Sequence, residues 1–173
     1  MALIAHFTMF AGYNAWANAR IYDAASAMDD AARRRTVGAF FGSLHGTLNH
    51  LLVADRIWMQ RFTGSGEIPA ALDAILFDDF VELRAARERE DARICTYVKG
   101  LAPGDMDGVL HYRTVTNPTD VAQPLAGALG HFFNHQTHHR GQAHAILTHL
   151  GGRSAAPPLD LLIFQREAAA GSF

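Results

Sequence analysis

Five of the chain's ten histidines fall within residues 131–144, a stretch without proline. Neutral imidazole is a common metal ligand. Residues four apart on an α-helix lie one above the other on one face, so two imidazoles at that spacing can converge on one ion. His131/His135 and His135/His139 have the four-residue spacing, and His135/His138 lie three apart. Helical phase separates them. The apolar stripe through Leu125, Leu129, Phe132, Ala143, Ile146 and Leu150 carries His139 at its centre and His135 at its edge, while His131, His138 and His149 fall with Gln142 toward the polar flank. His135 and His139 are therefore the pair that faces an interior.

Two imidazoles leave a divalent ion under-coordinated, so a third ligand should come from a neighbouring helix. His45 and His50 share an upstream helical segment. His50, followed by Asp55 and Trp58 on or near the apolar side, is the better placed, although phase leaves His45 open. Three neutral imidazoles suit Zn, Ni, Cu or Fe(II), and the missing fourth protein ligand leaves a position for water or substrate. The competing reading is a hydrogen-bonded core histidine or a solvated histidine-rich surface, and spacing alone does not choose between the two.

Two other polar residues stand out. Asp55 interrupts an apolar stripe and is the candidate catalytic residue, able to orient a ligand histidine or accept a proton; alternatively it pairs at the surface with Arg56 or Arg61. Asn14 is the candidate substrate-binding residue or a bridge between packed helices. Trp16 and Trp58 read as core aromatics. Cys95, the only cysteine, has no basic or histidine neighbour in sequence that would activate it.

Four long segments with helical periodicity must position these groups. The first, 2–27, places Phe7, Phe10, Asn14, Ala17 and Ile21 on one face. The second, 38–62, repeats Phe41, Leu44, Leu48, Leu51, Asp55, Trp58 and Phe62. The third, 77–99, presents Phe80, Leu83, Ile94 and Val98, with Arg84, Arg87, Glu88, Arg89 and Glu90 reading as a solvated face. Residues 100–118 read as a loop with a brief strand or hairpin around Leu110 to Val115. The last long helix, 121–150, starts near Pro124 and is stopped by Gly151-Gly152. After Pro157-Pro158, a short amphipathic tail over 159–169 needs a surface for Leu161, Leu162 and Phe164. No internal repeat or linker divides the chain, so a single all-α domain over 1–173 is expected, a bundle with its site between facing helices.

Composition narrows the function classes. Apolar residues make up 49% and charged residues 18% of 173 residues, a core-rich balance that leaves room for a subunit interface. A formal net charge of -2 gives no reason to expect nucleic-acid binding. The basic run Arg33 to Arg35 reads as a solvated turn. No stretch approaches the roughly 18 apolar residues of a membrane span, and the N-terminus lacks a basic signal-peptide start. One cysteine excludes an intrachain disulfide, so a cytoplasmic setting is expected.

Three blocks carry a family resemblance: Tyr13-Asn14-Ala15-Trp16-Ala17-Asn18-Ala19-Arg20, the run from His50 through Asp55-Arg56 to Trp58, and His135-Gln136-Thr137-His138-His139-Arg140-Gly141-Gln142 followed by Leu147 and Gly151. In that order and at those separations the chain resembles the DinB-like family of metal-binding four-helix bundles. The resemblance implies an up-down-down-up bundle and assigns His50, His135 and His139 as the metal ligands. It implies zinc first, with nickel or iron as alternatives, and commonly a homodimer. Better-understood relatives are transferases and isomerases that use a low-molecular-weight thiol such as bacillithiol, mycothiol or glutathione. The expected function is a metal-dependent enzyme that activates a thiol, or water, against a small-molecule substrate. A metal-dependent hydrolase and a noncatalytic metal-binding stress-response protein are the rivals. The family name refers to DNA-damage induction and implies no contact with DNA.

Overall fold

Caps written into the sequence set the helix that carries His50. The Ser43 hydroxyl accepts a hydrogen bond from Gly46 N at 3.1 Å and opens it at Leu44. Gly64, in the left-handed region at φ 68°, closes it after Thr63. Sequence periodicity had carried this helix back to 38. The structure replaces 38–43 by a tight turn, because Gly38 (φ 70°) and Gly42 (φ 75°) both take left-handed backbone and an Ala39–Gly42 bridge folds the segment on itself. Phe41 is thereby lifted off the helix.

The computed structural model describes residues 2–171. Its elements are α1 (Ala2–Ser26), α2 (Asp30–Arg34), α3 (Leu44–Thr63), α4 (Phe80–Lys99), β1 (Val109–Arg113), β2 (Asp120–Pro124), α5 (Leu125–Gly151) and α6 (Leu161–Ala169). Asp79 caps α4 by accepting from Glu82 N at 2.9 Å, so that helix begins three residues later than periodicity suggested. Residues 121–124, expected as the first turn of the last helix, form β2 instead. They pair antiparallel with β1 from Arg113↔Asp120 to Val109↔Pro124. Pro124 has no N–H to give a ladder, which suits the end of an edge strand, and it stands at the cap of α5. At the other end Gly152, at φ 79°, stops α5 where the Gly-Gly pair was expected to.

α1, α3, α4 and α5 make the bundle. α1 packs on α4 and α5, and α3 packs on the same two, so chain neighbours α1/α3 and α4/α5 lie across the diagonals. Two core clusters give the directions. At one end Ile21 and Tyr22 of α1 meet Leu44 and Leu48 of α3, Phe80 and Leu83 of α4, and Ala143 and Leu147 of α5. At the other, Phe7 and Ala11 meet Trp58 and Met59, Ile94 and Val98, and Leu129 and Phe132. The early part of α1 thus sits with the late parts of α3 and α4 and the early part of α5, which is an up-down-down-up bundle. α6 lays Phe164 against Tyr13 and Ala17, and the Tyr13 hydroxyl donates to the Leu159 carbonyl at 2.7 Å. No described helix is long and apolar enough to cross a membrane.

Between the two apolar clusters runs a polar layer. Arg87 of α4 lies 2.6 Å from Asp55 of α3 and 2.9 Å from Asp91 one turn on. Asn14 and Asn18 of α1 donate to Asp91 at 3.0 and 2.9 Å. From α5, Gln136 donates to Asp55 at 3.0 Å and Arg140 donates to Asn14. Arg87 is 2% exposed, so its expected place on a solvated face is corrected; Glu90, also buried, accepts from Arg93 at 2.9 Å. Two carboxylates and two guanidiniums balance, which removes the net charge from the layer but not the desolvation of each ion. Burial pushes Asp55 up, with Arg87 opposing; burial, against Arg87 and helped by the charge of Asp55, takes Asp91 up to about 6.

Removing Arg87 leaves two buried carboxylates without their cation. Arg87→Met should therefore destabilise the fold by about 3–5 kcal/mol, the usual cost of breaking a buried pair from one side. At about 2–4 °C per kcal/mol for a chain of this size, the melting temperature should fall by roughly 10 °C. Urea denaturation giving a loss within experimental error would show that the layer contributes nothing to stability.

Candidate metal centre

His135 and His139 stand one turn apart on the inner side of α5, and His50 faces them from α3. Their ring centroids are separated by 4.3 Å (His135–His139), 4.4 Å (His50–His139) and 5.5 Å (His50–His135). Each offers a ring nitrogen, and the three nitrogens lie within 4.8 Å of one another. His50 is 4% and His139 9% exposed, and His135 is partly exposed.

Hydrogen bonds decide which nitrogen of two rings is free. His50 Nδ1 lies 2.7 Å from the Leu72 carbonyl oxygen, so Nδ1 carries the proton and donates. His139 Nδ1 lies 2.8 Å from Gln142 Oε1 and donates likewise, while the Gln142 amide nitrogen sits 3.3 Å from His138 Nε2. Both Nε2 atoms are left with lone pairs, and they are 3.3 Å apart. Two acceptors cannot make a hydrogen bond with each other. Two bonds of about 2.0–2.1 Å meeting at a tetrahedral zinc ion place their nitrogens about 3.3 Å apart. The spacing is that of two ligands on one ion, and the Nδ1 contacts are the outer bonds that fix ligand tautomer and ring orientation at such sites.

Electrostatics keep the imidazoles ready. Burial takes His50 down to about 4, with the Leu72 bond opposing and His139 adding. Burial, then the neighbouring His139 and His50, takes His135 down to about 3. Burial also lowers His139. All three are neutral at pH 7, the form that ligates. Phe41 lies flat on His50, centroids 3.7 Å apart at 15°, and stands edge-on to His139, closing one flank.

The opposite flank opens on a cleft of about 250 Å³ lined by His50 and His135, by Ala54, Ile57, Trp58 and Arg61 of α3, by Leu72, by Thr114, Val115 and Thr116 of the hairpin loop, and by His131. Among the described residues, the group of His, Cys, Asp or Glu able to hold an ion consists of the three histidines. His45, the open alternative, is buried elsewhere on α3 beside Asn49. Asp55 and Asn14 are brought together in the polar layer rather than at the imidazoles; the partners of Asp55 are Arg87 and Gln136, not Arg56 or Arg61. Cys95 borders a separate groove between α1 and α4, where burial raises its thiol pKa.

Sequence reasoning missed Phe41, Leu72, Arg61 and the hairpin loop as parts of the site. Phe41 and the loop lie on irregular backbone, and a backbone carbonyl such as Leu72 O carries no side-chain signal. His131, assigned to the polar flank, lies at the cleft edge 5.1 Å from the Trp58 ring. Trp58 is the core aromatic expected, 8% exposed, and also a wall of the cleft.

Bundle and site together define a helical scaffold with three histidines on two facing helices, placed so that they could hold a metal ion. The chain belongs to the DinB family, whose model matches residues 4–170. It is similar to Protein DinB of Bacillus subtilis (strain 168), 24% identical over 160 residues that cover 88% of this chain and 90% of the relative. No solved structure matches it.

Two outcomes follow from this geometry. Purified protein should hold one divalent ion per chain, lost in His50→Ala, His135→Ala and His139→Ala but retained in His45→Ala and His138→Ala, as read by elemental analysis after dialysis. Equal retention in all five would remove the site. The second concerns pH. Because the folded pKa values of His50 and His135 lie below the unfolded value near 6.5, the unfolded chain takes up protons first. Stability of the metal-free protein is fully present above pH 6.5 and is lost as pH falls toward 4, and a calorimetric series should show the midpoint dropping over that range. His135→Gln should flatten the slope.

Proposed function

We propose that this protein is a metal-dependent enzyme of the thiol S-transferase or isomerase type, in which His50, His135 and His139 hold one divalent ion, zinc first, and a low-molecular-weight thiol enters from the cleft. The observation that carries this reading is a three-imidazole set with one flank closed by Phe41 and the other open on a cleft. A divalent ion bound there supplies a Lewis acid that lowers the pKa of a thiol or water in the fourth position.

The chain's own residues do the rest. Leu72 and Gln142 hold the ligand rings in one tautomer. Phe41 excludes water from one flank. Ala54, Ile57 and Trp58 give the cleft an apolar wall suited to the carbon body of an electrophile. Asp55 serves as a positioning residue, acting through Gln136 on the turn that carries His135, and Asn14 serves the same layer from α1.

Thiol is favoured over water by a specific feature. A free thiol has a pKa near 8.5, so a small depression makes it a thiolate at neutral pH. Water at 15.7 needs far more, and metal-dependent hydrolases commonly add a carboxylate base. No Asp or Glu lines this cleft among the described residues. Cys95 cannot supply the thiol, since it faces another groove. A cytoplasmic setting, where small thiols stay reduced, suits this chemistry.

Cobalt-substituted protein provides the test. Addition of 2-mercaptoethanol should change the ligand-field spectrum, and consumption of a model electrophile such as 1-chloro-2,4-dinitrobenzene should need both metal and thiol. Electrophile hydrolysis without thiol would favour the hydrolase. A spectrum that ignores every added ligand would favour a noncatalytic metal-binding protein.

A further inference from the structure

Arg61 lies in the last turn of α3, three turns beyond His50, and lines the same cleft. Eleven residues at 1.5 Å per residue separate the two Cα atoms by about 16 Å along the axis. Helical side chains lean toward the N-terminus, so the Arg61 side chain reaches back toward His50; His50 leans the same way, and only the greater length of arginine shortens the span.

The environment of its guanidinium is unusual for a cation. It is partly buried, 4.6 Å from the Trp58 ring centroid and 4.3 Å from that of Tyr112 on β1. Among the described residues no carboxylate, carbonyl or hydroxyl accepts from its N–H groups, whereas Arg87 holds two carboxylates and Arg93 pairs with Glu90. Stacking fixes the plane of a guanidinium while leaving its edge donors free, the arrangement that binds a carboxylate through two parallel hydrogen bonds. Arg61 is also the one permanently charged side chain lining this cleft, and no acidic residue there offsets it. A cation at a helix C-terminus gains some stability from the helix dipole. That gain requires neither two aromatic partners nor a place in the cleft wall.

We propose that Arg61 is the anion subsite of this cleft, binding a carboxylate at the far end of an extended thiol whose sulfur reaches toward the three histidines. The inference rests on the thiol reading above and deepens it. It selects a thiol of roughly tripeptide length bearing a distal carboxylate and rejects a short or neutral one as the physiological partner. It also gives the hairpin a task, since Tyr112 of β1 holds the guanidinium in place and the loop at Thr114 walls the cleft beside it.

Binding to cobalt-loaded protein, followed by spectrum and by calorimetry, separates the ideas. The probes are glutathione, its diethyl ester with both carboxylates neutralised, and 2-mercaptoethanol, against wild type, Arg61→Gln and Arg61→Lys whose folding is checked by circular dichroism. Wild type should bind glutathione at least tenfold more tightly than the diester, and added salt should narrow the gap. Arg61→Gln should abolish that preference, Arg61→Lys should keep part of it, and all three proteins should bind 2-mercaptoethanol alike. Equal binding of glutathione and diester by wild type overturns the subsite, as does unchanged glutathione preference in Arg61→Gln or failure of glutathione where 2-mercaptoethanol binds. Failure of every thiol to alter the spectrum overturns the thiol reading itself, and the subsite with it.

Discussion

The pair of Arg87 and Asp55, 2.6 Å apart and almost wholly buried, is the constraint from which the site's geometry follows. Desolvating two ions costs several kcal/mol each, and the interior attraction offsets this only when the remaining donors and acceptors are also met. Here many of them are met, from all four long helices: Gln136 on Asp55, Asn14 and Asn18 on Asp91, Arg140 on Asn14, while Arg87 Nε, Gln136 Oε1 and Arg140 Nε have no hydrogen-bond partner among the described residues. Such a layer leaves little rotational freedom. α3 and α5 are joined at Asp55–Gln136, and on α5 Gln136 lies three residues from His139, which faces His50 of α3. Turning α5 by one residue, about 100°, would break the Asp55–Gln136 bond and turn both histidines away from His50, so the polar layer that sets the phase of α5 also aims His135 and His139.

The same burial that makes the layer costly makes the histidines useful. An imidazole in water is partly protonated near neutral pH and must lose that proton before it can ligate. Burial has already removed it at His50 and His135, and the Leu72 carbonyl and Gln142 amide have already selected the nitrogen on two of the three rings. Two lone pairs facing each other at 3.3 Å are an unfavourable contact that a cation converts into a favourable one. Ion binding then stabilises the fold by mass action, about 4 kcal/mol at a free concentration a thousandfold above the dissociation constant. Metal affinity and fold stability are linked through these rings.

Helical phase made much of this legible. Four long amphipathic segments, the Gly151-Gly152 stop and the inward pair His135/His139 follow from spacing, and phase preferred His50 to His45. The errors have physical causes. Apolar periodicity ran through 38–43 and 121–124 because a short apolar segment fits a helix as well as a turn or strand. Backbone made the decision there: two left-handed glycines in one case, antiparallel pairing with β1 in the other. Arg87 was placed on a solvated face by its charge. Its phase says otherwise, since Leu83, Arg87, Asp91, Ile94 and Val98 form one stripe at three- and four-residue steps, and each is buried. A lone aspartate in the stripe of one helix called for a cation in the stripe of another. Sequence neighbours Arg56 and Arg61 were the wrong place to seek it, because residues one or six along a helix point away from Asp55.

A division of labour between backbone types follows. The metal ligands sit on long helices whose phase is fixed by buried ions, which suits groups that must hold an ion to within a few tenths of an ångström. The rest of the site comes largely from irregular chain: Phe41 from the turn before α3, Leu72 from the α3–α4 connection, Thr114 to Thr116 from the hairpin loop. Loops tolerate insertion and exchange with little effect on the core beneath them. The three imidazoles can therefore keep their places while the length and polarity of the cleft are altered through its loops. Arg61 sits at the boundary between the two regimes, on the rigid helix but held by a tyrosine of the hairpin. A change in the hairpin alone would free or reorient the guanidinium without moving the three histidines, so the two ends of the cleft can be altered independently.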